Sequence, residues 1–271
     1  MSKTLRGKTG FIEYYTTILQ QYFPEQNFAA LQAALEYQST PITHHNPNNP
    51  AQVYHLNAAS LLPVQALNPQ HGDIVLDACA APGGKALYIA EAIGKTGKLI
   101  ANDISPARRF RMKQLFLDWD YAVETRHGVS LLGKPAETLF KIYPNYFDKI
   151  LVDAPCSSEK HVWNSPKHLA QWSYSRIKQL KQRQIALLSG LFLALKPGGT
   201  MVYSTCAITP EENEQVVEKL LKKRGDVLQL IEQIRVWPQP DKNLDPMFVA
   251  KFIHKLPLSP TLSPAAAGER E

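Results

Sequence analysis

Residues 74–85, IVLDACAAPGGK, decide the fold: an apolar run that ends in Ala-Pro-Gly-Gly-Lys. Ile74, Val75 and Leu76 read as a buried parallel strand, and Pro82-Gly83-Gly84 lets the backbone turn tightly before a helix that starts near Lys85. A strand that feeds a helix through glycines leaves backbone N–H groups free of side-chain cover. An open α/β sheet seats its ligands outside the carboxyl ends of its strands. The spacing is neither a Walker pattern nor GxGxxG. By itself it reads as the seat of a nucleotide-like cofactor or as an ordinary βα turn.

Working outward, the same alternation recurs. ALYIAEAI is a helix closed by Gly94, and KLIANDI a second strand finishing at Asp103. Asp103 falls where an acidic residue holds a ribose diol in a βαβ unit, while Ser105 and Pro106 cap the next helix, PARRFRMKQLFLDW. Arg108, Arg109, Arg111 and Lys113 crowd the first half of that helix, where its dipole does not favour cations. YAVETRHG reads as a third, weaker strand, KILVDAPCSS as a fourth and GTMVYSTC as a fifth. Between the last two lies the long helix SYSRIKQLKQRQIALLSGLFLAL, stopped by Lys196-Pro197-Gly198-Gly199. Thr209, Pro210 and Glu212 read as cap, first-turn proline and capping box of the helix ITPEENEQVVEKLLKK. VLQLIEQIRVW and MFVAKFIH complete the pattern as an antiparallel hairpin. The expectation is an α/β fold with a doubly wound, mostly parallel sheet.

Upstream, residues 1–50 differ in tone. FIEYYTTILQQYF and FAALQAALEY predict two short helices separated by Pro24. STPITHHNPNNPAQ reads as an exposed loop in which His44 and His45 are a solvated pair rather than metal ligands or RNA contacts. NAASLLPVQALN predicts a helix with Pro63 in its first turn, leading into the first strand. The main domain therefore runs over 51–255, and the Pro/Ser/Ala-rich tail 256–271 is expected to be disordered.

With 271 residues and 44% hydrophobic content, the chain is long and apolar enough for one large α/β domain. No stretch has the apolar length of a membrane span and the first residues have no signal-peptide core, so the expected compartment is the cytoplasm, with no membrane partner. The three cysteines, Cys79, Cys156 and Cys206, are too few for a disulfide framework and too widely spaced for a metal site. Each stands where a strand runs out, which predicts that all three meet at one sheet edge. A net charge of +6 suits a polyanionic partner. From residue 161 to 210 there is no Asp or Glu, while Lys167, Arg176, Lys178, Lys181, Arg183 and Lys196 interleave with Trp163 and Trp172. Cations for phosphates beside rings for bases would make a nucleic-acid groove; a solvated helix face over buried tryptophans would look the same in sequence.

Taken together, DACAAPGGK, NDISPARR, VDAPCSS and YSTCAITPEENEQVV resemble the RNA cytosine-5 methyltransferase family of Sun-type and nucleolar enzymes, over residues 50–255. NAASLLPVQAL and CSSEKH look closest to its compact mitochondrial ribosomal RNA branch. The resemblance implies a Rossmann-like methyltransferase fold, S-adenosyl-L-methionine as cofactor and RNA, ribosomal RNA first, as partner; no protein partner is implied. It carries over Cys206 as nucleophile, Cys156 as the thiol that assists release and Asp153 as the group that holds the base. It places Cys79, Ala80, Ala81, Pro82, Gly83, Gly84, Lys85, Asp103, Arg108, Gly128 and Asp153 around the cofactor, with Cys79 as a loop residue rather than a reactive thiol. Two thiols suit this chemistry because C5 of cytosine is a poor nucleophile until a thiolate adds at C6. The turn at Thr209 is expected to lower the Cys206 pKa through its helix dipole. Two positions depart from the family: His127 stands where relatives carry Asp before Gly128, and Asn57 where close relatives have Asp. A transfer RNA substrate, a non-catalytic RNA-binding or ribosome-assembly factor and an acyl-transfer enzyme are the competing readings. The last lacks a recognisable histidine base.

Overall fold

Backbone polar groups in a dry interior must be paired, and the apolar runs in this sequence solve that by stacking as parallel strands covered on both faces. The structure, a computed structural model, describes residues 5–123 and 128–257. In chain order its elements are α1 (Gly7–Tyr22), α2 (Phe28–Glu36), β1 (Ile42–Asn46), β2 (Asn49–Leu56), α3 (Leu62–Leu67), β3 (Ile74–Asp77), α4 (Gly84–Ile93), β4 (Lys98–Asn102), α5 (Pro106–Asp118) and β5 (Gly128–Leu132). They continue with β6 (Phe147–Asp153), α6 (Glu159–Trp163), α7 (Pro166–Ala170), α8 (Tyr174–Leu191), β7 (Leu195–Thr205), α9 (Glu214–Arg224), β8 (Leu228–Val236) and β9 (Met247–His254). Seven strands form one sheet in the order β5-β4-β3-β6-β7-β9-β8, with β9 antiparallel to both of its neighbours. This is the doubly wound, mostly parallel sheet that the alternation predicts.

Strand order reverses between β3 and β6, which pair in register Val75↔Lys149 through Asp77↔Leu151. A crevice opens at such a switch point, beyond the carboxyl ends of the two strands. Period-two alternation divides the core: Leu76, Ile150, Val152 and Tyr203 face one layer with α8 and α9, while Val75, Leu99, Leu151 and Val202 face the other with α4 and α5. Among the described residues no helix is long and apolar enough to cross a membrane.

Several expectations change. Residues 42–56 form the β1–β2 hairpin, not a loop, and β2 runs across residue 50. His44 is held rather than solvated: its ring stacks on Tyr88 and Trp119 and its Nε2 lies 2.9 Å from Glu91 Oε1. His45 is exposed, as expected. The third strand is GVSLL, shifted towards the C-terminus of YAVETRHG, whose residues 124–127 lie outside the described residues, as does His127. The helix before β7 gives way at Ala194 and Leu195 already belongs to the strand, so Lys196-Pro197-Gly198-Gly199 lies within β7 rather than stopping a helix. The tail 258–271 also lies outside the described residues.

The basic stretch divides in two. Trp163 and Trp172 are buried, packed with Phe11, Tyr15, Leu19 and Leu35 of α1 and α2. They fasten the N-terminal helices to the domain and present no ring to a base. Arg176, Lys178 and Arg183 of α8 remain exposed.

Candidate active site

The βα turn after β3 is built as its residues dictate. Gly83 adopts φ +118°, a conformation closed to most side chains, and a Cβ there would come within 2.9 Å of Leu115. A Cβ on Gly84 would lie 2.6 Å from the Tyr54 ring, so both glycines are required by close approach. The turn lines a pocket of about 250 Å³ with Asp77, Cys79, Ala80, Ala81, Pro82, Gly84, Lys85, Asn57 and Asp153. A second pocket of about 240 Å³ adjoins it at Cys79 and is lined by Asp103, Arg108, Lys134 and Arg183. Asn57, the departure noted above, caps the turn at Ala58–Leu61 and donates to Ser39 at 2.8 Å.

Asp103 is almost fully buried. Its Oδ1 accepts from the Ser105 N–H at 2.9 Å and its Oδ2 lies 3.0 Å from the Arg108 guanidinium. Arg108 also bonds the Ala81 carbonyl, and Arg109 donates to the Asp103 carbonyl at 2.6 Å. Arg108 thus ties the second strand end to the first turn and Arg109 fastens α5 to that strand end, which explains these two cations against the dipole. Gly128 is not at the site. It opens β5 in register with Lys98, at the amino edge of the sheet, because the strand follows it instead of preceding it. The carboxyl end of β5 is Leu132, and Lys134 two residues on reaches the second pocket.

Lys85 donates to Asp153 Oδ2 at 2.8 Å, and Ser204 to Asp153 Oδ1 at 2.9 Å. Burial pulls the Lys85 ammonium down, but the carboxylates of Asp153 and Asp77 outweigh it and the net shift is upward. Sequence reasoning missed Asp77. Both of its carboxylate oxygens are buried with no partner, and burial, followed by repulsion from Asp153, pushes it up to about 7. A buried acid without a partner facing a pocket is a place for a cationic group. The signal was present, because LDA closes β3 as VDA closes β6. The pockets therefore offer a carboxylate for a ribose, an unsatisfied carboxyl for a positive centre and a glycine turn free of side chains. That set fits S-adenosylmethionine, a cationic nucleoside.

Two of the three cysteines meet. Cys156 Sγ and Cys206 Sγ are 3.3 Å apart, and Ser158 Oγ lies 3.4 Å from the first and 3.3 Å from the second. The Cys156 hydrogen bond holds Cys206 below the ordinary thiol range against burial, and Ser158 adds to it. Donating that bond, and being buried, pushes Cys156 up. Of the two, Cys206 is the thiol biased towards the thiolate. Cys79 is pushed up to about 12 by burial and by Asp77, so it is an inert thiol of the turn. The helix dipole expected after Cys206 is absent: Pro210–Glu212 is a single 3-10 turn and α9 starts only at Glu214. Glu212 forms no capping box either, since its side chain turns inward to Ser157 and Gln184. A cleft of about 360 Å³, lined by Ser158, Lys160, His161 and Asp245, opens on Cys206.

The chain is 37% identical over 227 residues to the zebrafish mitochondrial tRNA (cytosine(34)-C(5))-methyltransferase, an alignment covering 81% of this chain and 61% of that protein. It is 36% identical over 197 residues to ribosomal RNA small subunit methyltransferase F of Aeromonas salmonicida, covering 71% of this chain and 40% of that one. It thus spans less than two thirds of the length of each relative. Among solved structures, NSun6 from Pyrococcus horikoshii with SFG superposes at a TM-score of 0.64 and 28% identity, covering 74% of this chain and 53% of that one. A family model described as 16S rRNA methyltransferase RsmB/F matches residues 64–253, from α3 into β9 with every residue of the thiol pair and the glycine turn inside it, and the chain belongs to that family.

Proposed function

We propose that the chain transfers a methyl group from S-adenosylmethionine to C5 of a cytosine in RNA, with residues 51–255 holding its catalytic and cofactor-binding residues and the cytoplasm as its place of action. Ribosomal RNA is the first substrate to test. Transfer RNA is the second, because the names of the relatives divide between the two. The observation that carries the reading is the unlike thiol pair at the sheet edge, one lowered and one raised, 3.3 Å apart.

Each residue has a task. The Cys206 thiolate adds to C6, forming an S–C6 bond and giving C5 enamine character. Asp153, whose carboxylate Lys85 and Ser204 orient, holds the exocyclic amine and N3 of the base. Bound S-adenosylmethionine supplies the electrophilic methyl carbon for C5. H5 is then lost as a proton to water, its C–H electrons restore the C5–C6 double bond as the S–C6 bond breaks, and the Cys156 thiol assists by hydrogen-bonding the departing Cys206 thiolate. Asp103 with Arg108, and Asp77, hold the two ends of the cofactor. A non-catalytic RNA-binding role leaves the unlike thiols without a use. Bisulfite sequencing of ribosomal and transfer RNA from cells with and without the gene tests the proposal: a cytosine protected only when the gene is present is expected, and identical profiles contradict it.

A further inference from the structure

The loops that carry the two thiols are bound to each other by two buried acids, and the bonding is reciprocal. Glu159 follows Cys156 on α6, yet its Oε2 accepts the backbone N–H of Ile208, on the Cys206 loop, at 3.2 Å. Glu212 follows Cys206, yet its Oε2 accepts the backbone N–H of Ser157, on the Cys156 loop, at 3.0 Å. Each acid caps the other acid's loop. Both are shut off from solvent, at 1% and 0% exposure, and neither faces a ligand pocket. Isolated buried carboxylates are costly, so a pair of them persists only where the surroundings satisfy them.

For Glu212 the surroundings specify a protonation state. Gln184 Nε2 donates to Glu212 Oε2 at 2.8 Å, while Glu212 Oε1 and Gln184 Oε1 are both buried and both without a partner. Two acceptors cannot satisfy each other. An ionised Glu212 would leave Oε1 as a bare charged acceptor in a dry interior, whereas a proton on Oε1 removes the charge and turns the orphaned oxygen into a donor. The titratable groups facing Glu212 are Glu159 on α6, Cys156 on its loop, Tyr203 on β7 and Tyr15 on α1, none of them cationic. Burial and the neighbouring Glu159 push Glu212 up to about 8, in the same sense.

We propose that Glu159 and Glu212 are positioning residues that fix the separation of the Cys156 and Cys206 thiols, and that Glu212 does so as the neutral acid. The brace keeps the Cys156 Sγ close enough to hydrogen-bond Cys206, and so sets which thiol is the nucleophile. Its purpose rests on the thiol chemistry proposed above; its geometry does not.

The test reads thiol reactivity without RNA or cofactor. The pH dependence of iodoacetamide alkylation at Cys206 and Cys156 is measured by mass spectrometry on ligand-free protein. In Glu212→Ala the Cys206 midpoint should rise by about one pH unit, and its rate at neutral pH fall about tenfold, as the Cys156 donor moves away. Glu212→Gln, which mimics the neutral acid, should keep the native profile. Leu220→Ala, a core change under α9, should lose stability and keep it as well. An unmoved Cys206 midpoint in folded Glu212→Ala, or a shift matched by Leu220→Ala, overturns the brace. A Gln variant that shifts like Ala overturns the neutral acid. If Glu212→Ala does not fold, Gln184→Met keeps the volume and removes the amide: a rise in the midpoint is expected, and an unmoved profile refutes the proposal. Because no methylation is measured, failure here is separable from failure of the methyltransferase reading.

Discussion

The buried, partnerless carboxyl of Asp77 costs the fold stability. Burial raises its carboxyl from 3.8 to about 7, so its contribution to folding is most favourable below the unfolded value and is lost as pH rises to 7. Asp77→Asn should therefore raise the Tm of ligand-free protein at pH 8, by a margin corresponding to a few kcal/mol. The gain should fade below about pH 4, and S-adenosylmethionine binding should weaken in calorimetry at pH 8. A lower Tm at pH 8 with unchanged binding would show that the carboxyl is satisfied by the protein alone. The sequence made Cys79, Asp103, Asp153 and the thiols legible because each stands in a motif at a strand end. Asp77 stood in the same place and passed unread, since an acid inside an apolar run looks like a core position until its lack of a partner is seen. Glu212 was misread for a related reason: a capping box and an inward-turned acid have one spelling.

At the scale of elements, α8 carries cations in different surroundings that composition had merged. Arg183 lines the second pocket with Asp103, whereas Lys178 lies beside Tyr174, 5.1 Å from the ring centroid, and Lys181 bonds Gln215. Arg183→Ala should weaken S-adenosylmethionine binding severalfold, while Lys178→Ala should leave it alone and lower the salt slope of RNA binding by about one contact. Equal effects of both changes on both ligands would argue against the division. The β1–β2 hairpin escaped the sequence reading because its Asn/Pro/His residues are turn and loop formers. What makes it a hairpin is the docking of His44 between Tyr88 and Trp119, a tertiary contact no local pattern reports. The third strand was misplaced by a few residues, and Gly128 went with it to the wrong edge of the sheet.

For the whole molecule, the doubly wound, mostly parallel sheet and its terminal antiparallel hairpin followed from alternation, since βαβ units leave few topologies open, while the strand order and the switch point belong to the structure. The N-terminal helices are integral to it, joined through an aromatic cluster in which Trp172 lies 5.6 Å from Phe11 and 5.7 Å from Tyr14. Trp172→Ala should cost about 3–5 kcal/mol in denaturant unfolding and leave the salt slope of RNA binding unchanged. Unaltered stability with weaker RNA binding would restore the stacking role that burial denies it. The unlike thiols decide the chemistry, and incubation with ribosomal and transfer RNA plus S-adenosylmethionine, followed by denaturing electrophoresis, separates their roles. Cys156→Ala should add to C6, take the methyl and fail to release, so that a protein–RNA complex survives denaturation, while Cys206→Ala forms none. A complex trapped by Cys206→Ala and not by Cys156→Ala, or none with either variant, would contradict the assignment of Cys206 as the nucleophile.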